Sequence, residues 1–279
     1  MSADFSSRAI LITGCSSGIG LCVAQGLRKR GYRVFATARR EKDVQRLGAD
    51  GFEALRLDLD DSATIRDAVA ELLSRTDGRI YALFNNGAYG QPGALEDLSR
   101  ETLRQQFETN VFGWHELTHS ILPVMRAQGY GRVIQNSSVL GFVALKYRGA
   151  YNASKYAIEG LTDTLRLEFH GSDIHFSLIE PGPIDSQFRT NALKAFRKNI
   201  DAGQSFHRQT YQALVERLAT KGPAVPFTLP ADAVLKKVIL ALEAKKPRPR
   251  YYVTFPTTLF GTLKRILPTR ALDRILLRV

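Results

Sequence analysis

The residues from Gly14 to Gly20, GCSSGIG, stand between a compact apolar run, Arg8 to Thr13, and a helical pattern through Ile19, Val23 and Leu27 that stops at Gly31. A buried strand that enters a helix through a glycine-rich turn strongly constrains what a chain can become. Gly14, Gly18 and Gly20 let the backbone approach a ligand closely, and the helix N-terminus presents free N–H groups and a positive dipole end. A pyrophosphate suits that place, although the spacing here is G-x-x-x-G-x-G rather than the commoner G-x-G-x-x-G.

The remaining elements follow the same alternation. Apolar runs at Tyr32 to Ala38, Phe52 to Leu57, Ile80 to Phe84, Arg132 to Ser137, Ile174 to Ile179 and Tyr251 to Phe255 read as strands. Helical periodicity covers Ser62 to Arg75, Ser99 to about Gln128, Tyr151 to about Phe169, and Ala231 to Ala244. Strands alternating with helices predict one doubly wound α/β domain over residues 1–279, with a parallel sheet of about seven strands and helices on both faces. Gln187 to Pro230 is polar and charged, and it reads as an irregular, mobile cover over a substrate site.

Strand ends carry the candidate cofactor residues. Arg39 and Arg40 follow the second strand, where an acid commonly takes the ribose hydroxyls of NAD and an arginine accommodates the 2′-phosphate of NADP, so NADP is expected. Asp58 and Leu59 end the third strand; the aspartate is placed to accept a hydrogen bond from an adenine amino group or to cap the next turn. Asn85, Asn86, Gly87 and Ala88 form a small turn after the fourth.

Chemistry concentrates between Arg132 and Lys155. Ser138 falls at the C-terminal edge of a strand, where such sheets open into a ligand crevice. Tyr151 and Lys155 are four apart on a helix and share a face. A tyrosine ordinarily titrates near pH ~10, and an adjacent ammonium is expected to lower that value and make Tyr151 a general acid/base.

Composition sets outer limits. With 279 residues and 44% hydrophobic content the chain can bury one large core. No apolar run is long enough to span a bilayer, and MSADFSSR lacks the features of a secretory signal, so a cytoplasmic protein is expected. Its two cysteines, Cys15 and Cys22, fit a reducing compartment. Of the net charge of +12, eight units lie between Lys245 and Val279, where nine Lys and Arg face one acid, Asp273. The main body is therefore only mildly basic, which argues against a nucleic-acid-binding face. The tail, Thr257 to Val279, mixes apolar and basic residues; it is expected to pack over the protein's own cleft or a subunit contact, with an anionic membrane surface as the alternative. His115 to His119, HELTH, matches the H-E-x-x-H zinc pattern, but no downstream ligand motif accompanies it, and no metal is expected.

Over nearly its whole length the chain resembles the short-chain dehydrogenase/reductase family, through TGCSSGIG, NVFG at Asn110, Ser138 with YNASK, and PGPI at Pro181 to Ile184. The wording of VFATAR, YNASKYAIEGL and SLIEPGPI is most similar to hydroxysteroid and retinol dehydrogenases and bacterial aldehyde reductases. The resemblance implies that Tyr151 protonates a carbonyl oxygen that Ser138 orients, that Lys155 holds the nicotinamide ribose, and that Asn110 keeps a water in a proton relay. It implies a cofactor lining of Gly14, Ser16, Ser17, Gly18, Ile19, Gly20, Asp58, Leu59, Asn85, Gly87, Tyr151, Lys155, Pro181, Ile184 and Ser186, with Arg39 and Arg40 toward the 2′-phosphate. A homodimer or homotetramer is the family habit. Two departures stand out: Gly87 and Ala88 exchange the usual Ala-Gly order, which bears on where that turn takes a positive φ, and Ser186 replaces a threonine. Phe142, Val143, Leu145 and Tyr147 suggest an apolar pocket for a steroid, retinoid or lipid-like carbonyl or alcohol; the other reading is a non-catalytic NADP-binding regulator.

Overall fold

Seven short strands, β1 (Ala9–Ile12), β2 (Arg33–Ala38), β3 (Glu53–Arg56), β4 (Ala82–Asn85), β5 (Tyr130–Asn136), β6 (Asp173–Glu180) and β7 (Arg250–Tyr252), form one parallel sheet in the order β3-β2-β1-β4-β5-β6-β7. The computed structural model describes residues 7–220, 222–223 and 225–279. The N-terminal segment 1–6, where no secretory signal is read, lies outside them. The chain leaves β1 toward β2 on one side and returns past it to β4 on the other. The crevice where the order reverses is where such sheets bind ligands.

Helices cover both faces, which is why the central strands are apolar on both sides. On one face α3 (Ser62–Arg75), α5 (Gly113–Gln128) and α6 (Gly149–Glu168) bury Ile65, Leu72, Trp114, Leu117, Ile121 and Ile158 against Leu11, Phe35, Leu83 and Val133. On the other, α1 (Gly18–Lys29), α2 (Glu41–Ala49) and α9 (Asp232–Glu243) bury Val23, Leu27, Leu47, Val234 and Val238 against Ile10, Ile12, Phe84 and Ile134. The expected helix from Ser99 to Gln128 is α4 (Arg100–Phe107), capped by the Ser99 hydroxyl, followed by one π-helical turn, Glu108–Phe112, and then α5. The π turn carries Asn110, and such bulges often mark functional positions.

The segment expected to be irregular folds instead into α7 (Phe188–Asn199) and α8 (Arg208–Ala219). Ala192, Phe196 and Ile200 recur at four-residue spacing. They bury against Tyr211, Leu214, Leu218 and Ala94 in a small core of their own, which outweighs the charge of the sequence around them. The last strand ends at Tyr252 rather than Phe255, because Thr254 caps α10 (Phe255–Ile266) and Pro256 fits its first turn. Pro268 separates α10 from α11 (Thr269–Leu276). The tail packs internally: Leu272, Phe260, Leu263 and Leu276 cluster with Leu140, Val143 and Tyr151. No helix among the described residues is long and apolar enough to cross a membrane. Cys15 and Cys22 are free, and only Cys22 lies on α1.

Candidate active site

Four loops at the C-terminal ends of β1, β4, β5 and β6 meet around the switch point. Gly14 has φ +72, and a Cβ there would stand 2.7 Å from the Cα of Gly87; one on Gly20 would stand 2.3 Å from the Gly14 carbonyl oxygen. Only glycine permits this closeness. Ser17, the N-cap of α1, makes no side-chain capping bond, so the first-turn N–H groups face the crevice without an internal acceptor. This is a cradle for a pyrophosphate, and the residues present fit a dinucleotide.

The β4 turn is clamped to β1. Thr13 Oγ1 accepts from the backbone N–H groups of both Asn86 and Gly87 at 2.8 Å, and Asn86 Nδ2 donates to the Thr13 carbonyl at 3.0 Å. Trp114 Nε1 donates to the Gly87 carbonyl at 2.7 Å. Neither Gly87 nor Ala88 adopts a positive φ, so exchanging the two residues introduces no backbone strain. Asn85 faces inward and donates to Thr118 Oγ1 at 3.0 Å. Leu59 is buried beside Gly87, and Asp58 organises its own turn through Thr64 and Asp60. Arg40 pairs with Asp43 at 2.8 Å, whereas exposed Arg39 makes no ion pair among the described residues and acts on Asp60 through space. Arg46, which sequence reading left aside, donates to the Ser16 carbonyl at 2.6 Å and so ties α2 to the glycine turn. On the opposite wall the Pro181 carbonyl accepts from Val139 N–H at 2.8 Å, Ile184 bridges to Leu229, and the Ser186 Cβ lies 3.1 Å from where a Cβ on Gly18 would be.

Ser138, Tyr151, Lys155 and Asn110 are all brought together and buried. Ser138 ends the β5 extension in extended backbone, its hydroxyl accepting from Leu140 N–H at 3.1 Å. Tyr151 lies in the first turn of α6, and against the effect of burial the neighbouring Ser138 hydroxyl acts to lower the pKa of its phenol. Asn110 donates to the Tyr89 carbonyl at 2.9 Å and to Ser154 at 3.1 Å and accepts from Tyr89 N–H at 3.2 Å, locking the β4 loop to α6.

The electrostatics differ from the sequence expectation. Burial holds the Tyr151 phenol above its ordinary range, and only the Ser138 hydrogen bond opposes this. Lys155 Nζ lies 5.7 Å from the Tyr151 ring centroid, but it donates to the Asn136 carbonyl at 2.7 Å and sits 4.1 Å from the Trp114 ring centroid. Burial pushes the amine itself down to about 7, with Glu159 opposing, so near neutral pH desolvation leaves only part of the charge that was expected to lower the tyrosine. Four residues beyond Lys155, Glu159 and Glu180 form a buried acid pair beside Arg250, whose Nη2 reaches Glu159 at 3.1 Å and Asp163 at 2.7 Å while its Nε lies 3.2 Å from Glu180. Burial and then repulsion from Glu159 push Glu180 up to about 9.

A cavity of about 70 Å³ touches Tyr151 and is lined by Gly90, Pro92, Leu140, Phe188 and Leu218, among others. Phe188, missed in the sequence, packs edge-on to Tyr151 at 5.2 Å between centroids. Phe142, Val143, Leu145 and Tyr147 do not line this cavity. The first three pack with the tail helices, and Tyr147 packs with His207 and Tyr211. A larger cavity of about 450 Å³ lies at the opposite edge of the sheet beside Arg126, Phe169 and His170 and contains none of the candidate residues. His115 and His119 are exposed and stack on each other, and no metal-binding cluster occurs among the described residues.

Residues 8–196 match the family model described as short chain dehydrogenase. The uncharacterized oxidoreductase YbbO of Escherichia coli (strain K12) is 41% identical over 269 residues, covering 96% of this chain and 94% of that protein. Human 17-beta-hydroxysteroid dehydrogenase type 1 is 34% identical over 264 residues, covering 88% of this chain and 77% of its own. A solved short-chain dehydrogenase from Streptomyces avermitilis superposes with a TM-score of 0.75 at 28% identity over 93% of each chain. With the parallel sheet, the glycine cradle and the buried serine, tyrosine and lysine at one crevice, these matches give one answer: the chain belongs to the short-chain dehydrogenase family of oxidoreductases.

Proposed function

We propose that the protein interconverts an aldehyde or ketone and its alcohol on an apolar substrate, with NADP(H) as cofactor. The observation that carries this reading is the buried Tyr151 phenol beside the buried Ser138 while Lys155 stands four residues further along the same helix. NADP, when bound, supplies or accepts the hydride. Gly14, Ser16, Ser17, Gly18, Ile19 and Gly20 would hold its pyrophosphate; Asp58, Leu59, Asn85 and Gly87 would line the adenosine end of the crevice, and Pro181, Ile184 and Ser186 the nicotinamide end.

The protein's own contribution is proton transfer and orientation. A phenol whose proton is held by burial is in the state needed to protonate a carbonyl oxygen, which suits the reducing direction. Ser138 donates to the same oxygen and fixes its position. The Lys155 amine, balanced near neutrality, can take up or give back a proton and would hold the ribose when the cofactor is bound, and Asn110 secures the neighbouring loop. NADP over NAD is supported by Arg39, which among the described residues has no carboxylate partner within ion-pair range and follows the second strand, where an arginine accommodates a 2′-phosphate. Arg40, already paired with Asp43, is the weaker candidate.

A non-catalytic NADP-binding regulator is the competing reading, and the intact catalytic set speaks against it. Oxidation of NADPH across a panel of aldehydes, ketones and steroids tests the proposal; no turnover with any of them, by protein that binds NADPH, would favour the regulator. We place the protein in the cytoplasm as a homodimer or homotetramer, which light scattering in solution tests. The tail's internal packing is the favoured reading; Ile266, Leu277 and Val279, exposed beside Lys264, Arg265 and Arg274, keep a weak contact with anionic lipid as the second.

A further inference from the structure

The cavity against Tyr151 is lined in part by Arg148 and Arg189, and by no carboxylate. The rest of its wall is apolar or small: Leu140, Phe188, Ala192, Leu218, Pro92 and Gly90. Arg148 precedes α6 by one residue and is half-buried; among the described residues its side chain makes no hydrogen bond or ion pair. Arg189, in the first turn of α7, donates through Nη2 to the Gly222 carbonyl, while its Nη1 is buried with no acceptor. Two cations on an apolar wall, one with an orphaned buried donor, are costly unless an anion completes them.

We propose that the substrate is an apolar carbonyl compound bearing an anionic group, a carboxylate, sulfonate or phosphate ester, close to the reacting carbonyl, and that Arg148 and Arg189 bind that group. This rests on the carbonyl-reductase reading above. The cavity borders the phenol that would meet the carbonyl oxygen, so an anion held there lies within a few bonds of the reacting carbon. Its 70 Å³ has room for about five waters, which suits a compact head group and not a ring system. The guanidinium fork matches the planar oxygens of such groups, and in an apolar wall each charge-assisted bond is strong.

The test compares nonan-2-one with 2-oxononane-1-sulfonate and 3-oxodecanoate, which differ from it only by one anionic group, using the full-length protein and NADPH. Wild type is expected to show kcat/KM for the anionic ketones at least about 30-fold above nonan-2-one, as charge-assisted hydrogen bonds typically give. Arg148→Gln and Arg189→Gln should each lower that ratio at least about 5-fold, mainly through KM, with Arg148→Lys recovering part of it. Calorimetric titration with nonane-1-sulfonate, which has no carbonyl, reads the same site without turnover and should lose affinity in both glutamine variants. A wild-type ratio of one or less, a ratio unchanged by both variants, or variants that weaken NADPH binding while leaving the ratio intact would overturn the proposal; the last would assign the guanidiniums to the cofactor. Sulfonate binding that depends on both arginines without turnover of any ketone would uphold the anion site and overturn the reductase reading.

Discussion

Replacing Lys155 with methionine should raise the protein's stability in mild acid and abolish that advantage in mild base. The side chain is 1% exposed, and burial moves its amine from 10.5 to about 7. Between those two values the unfolded chain binds a proton that the native protein does not, so wild-type stability rises with pH across the window and is lowest, and flat, below it. At 1.36 kcal/mol per unit, the full penalty at pH 6 is about 5 kcal/mol as an upper bound, shrinking to about 1 kcal/mol at pH 10. Methionine matches the length of the lysine and carries no charge, but it leaves the buried Asn136 carbonyl without the donor it has at 2.7 Å, a loss of about 1–3 kcal/mol. The variant should therefore be more stable than wild type by about 2–4 kcal/mol at pH 6 and equal or less stable at pH 10. Urea denaturation of both proteins at pH 6, 8 and 10, without cofactor, measures the difference directly. A difference that does not change with pH would refute a desolvated lysine, and with it the account of why the phenol keeps its proton.

Other outcomes follow from the same geometry. Glu180→Gln should stabilise the protein increasingly as pH rises from about 5 to about 9: a raised carboxyl pKa means that the native state holds a proton the unfolded state has lost, so wild-type stability falls through that window. Urea midpoints at both ends check it. Arg39→Ala should weaken NADPH binding about tenfold and leave NADH unaffected, as fluorescence titration would report. Gly14→Ala should weaken binding of either cofactor, because its Cβ would push against the Gly87 backbone, and the same titration reads it. Vesicles with anionic headgroups should not retain the full chain, as a tail packed on its own core predicts; salt-sensitive retention that disappears on deletion of residues 257–279 would put the tail on lipid instead.

Much of the fold was legible because central strands of a parallel sheet are apolar on both faces, as in Ile80 to Phe84, although that strand begins at Ala82 and carries on through Asn85. The glycine turn was legible for a steric reason: the contact of Gly14 with Gly87 tolerates no side chain. The helices of 187–230 were written at Ala192, Phe196 and Ile200, but the intervening Arg and Lys obscured a spacing that only a separate small core explains. Contacts between distant positions left no local signal: Arg250 with Glu159, Phe188 with Tyr151, and Arg148 with Arg189 across one cavity. The protonation of Lys155 was illegible for a different reason. The four-residue spacing to Tyr151 is a property of the helix, whereas the charge on the amine depends on how completely Trp114 and the sheet exclude water from it.

The most direct measurement is the rate of NADPH oxidation by wild type and by Tyr151→Phe on whichever carbonyl compound the wild type reduces best, with NADPH affinity measured on both. Loss of the phenolic proton should cut kcat by about 10³-fold or more while the dissociation constant for NADPH stays within about twofold. A Tyr151→Phe protein that reduces the substrate at near wild-type rate would contradict the assignment of the proton donor and of the site built around it.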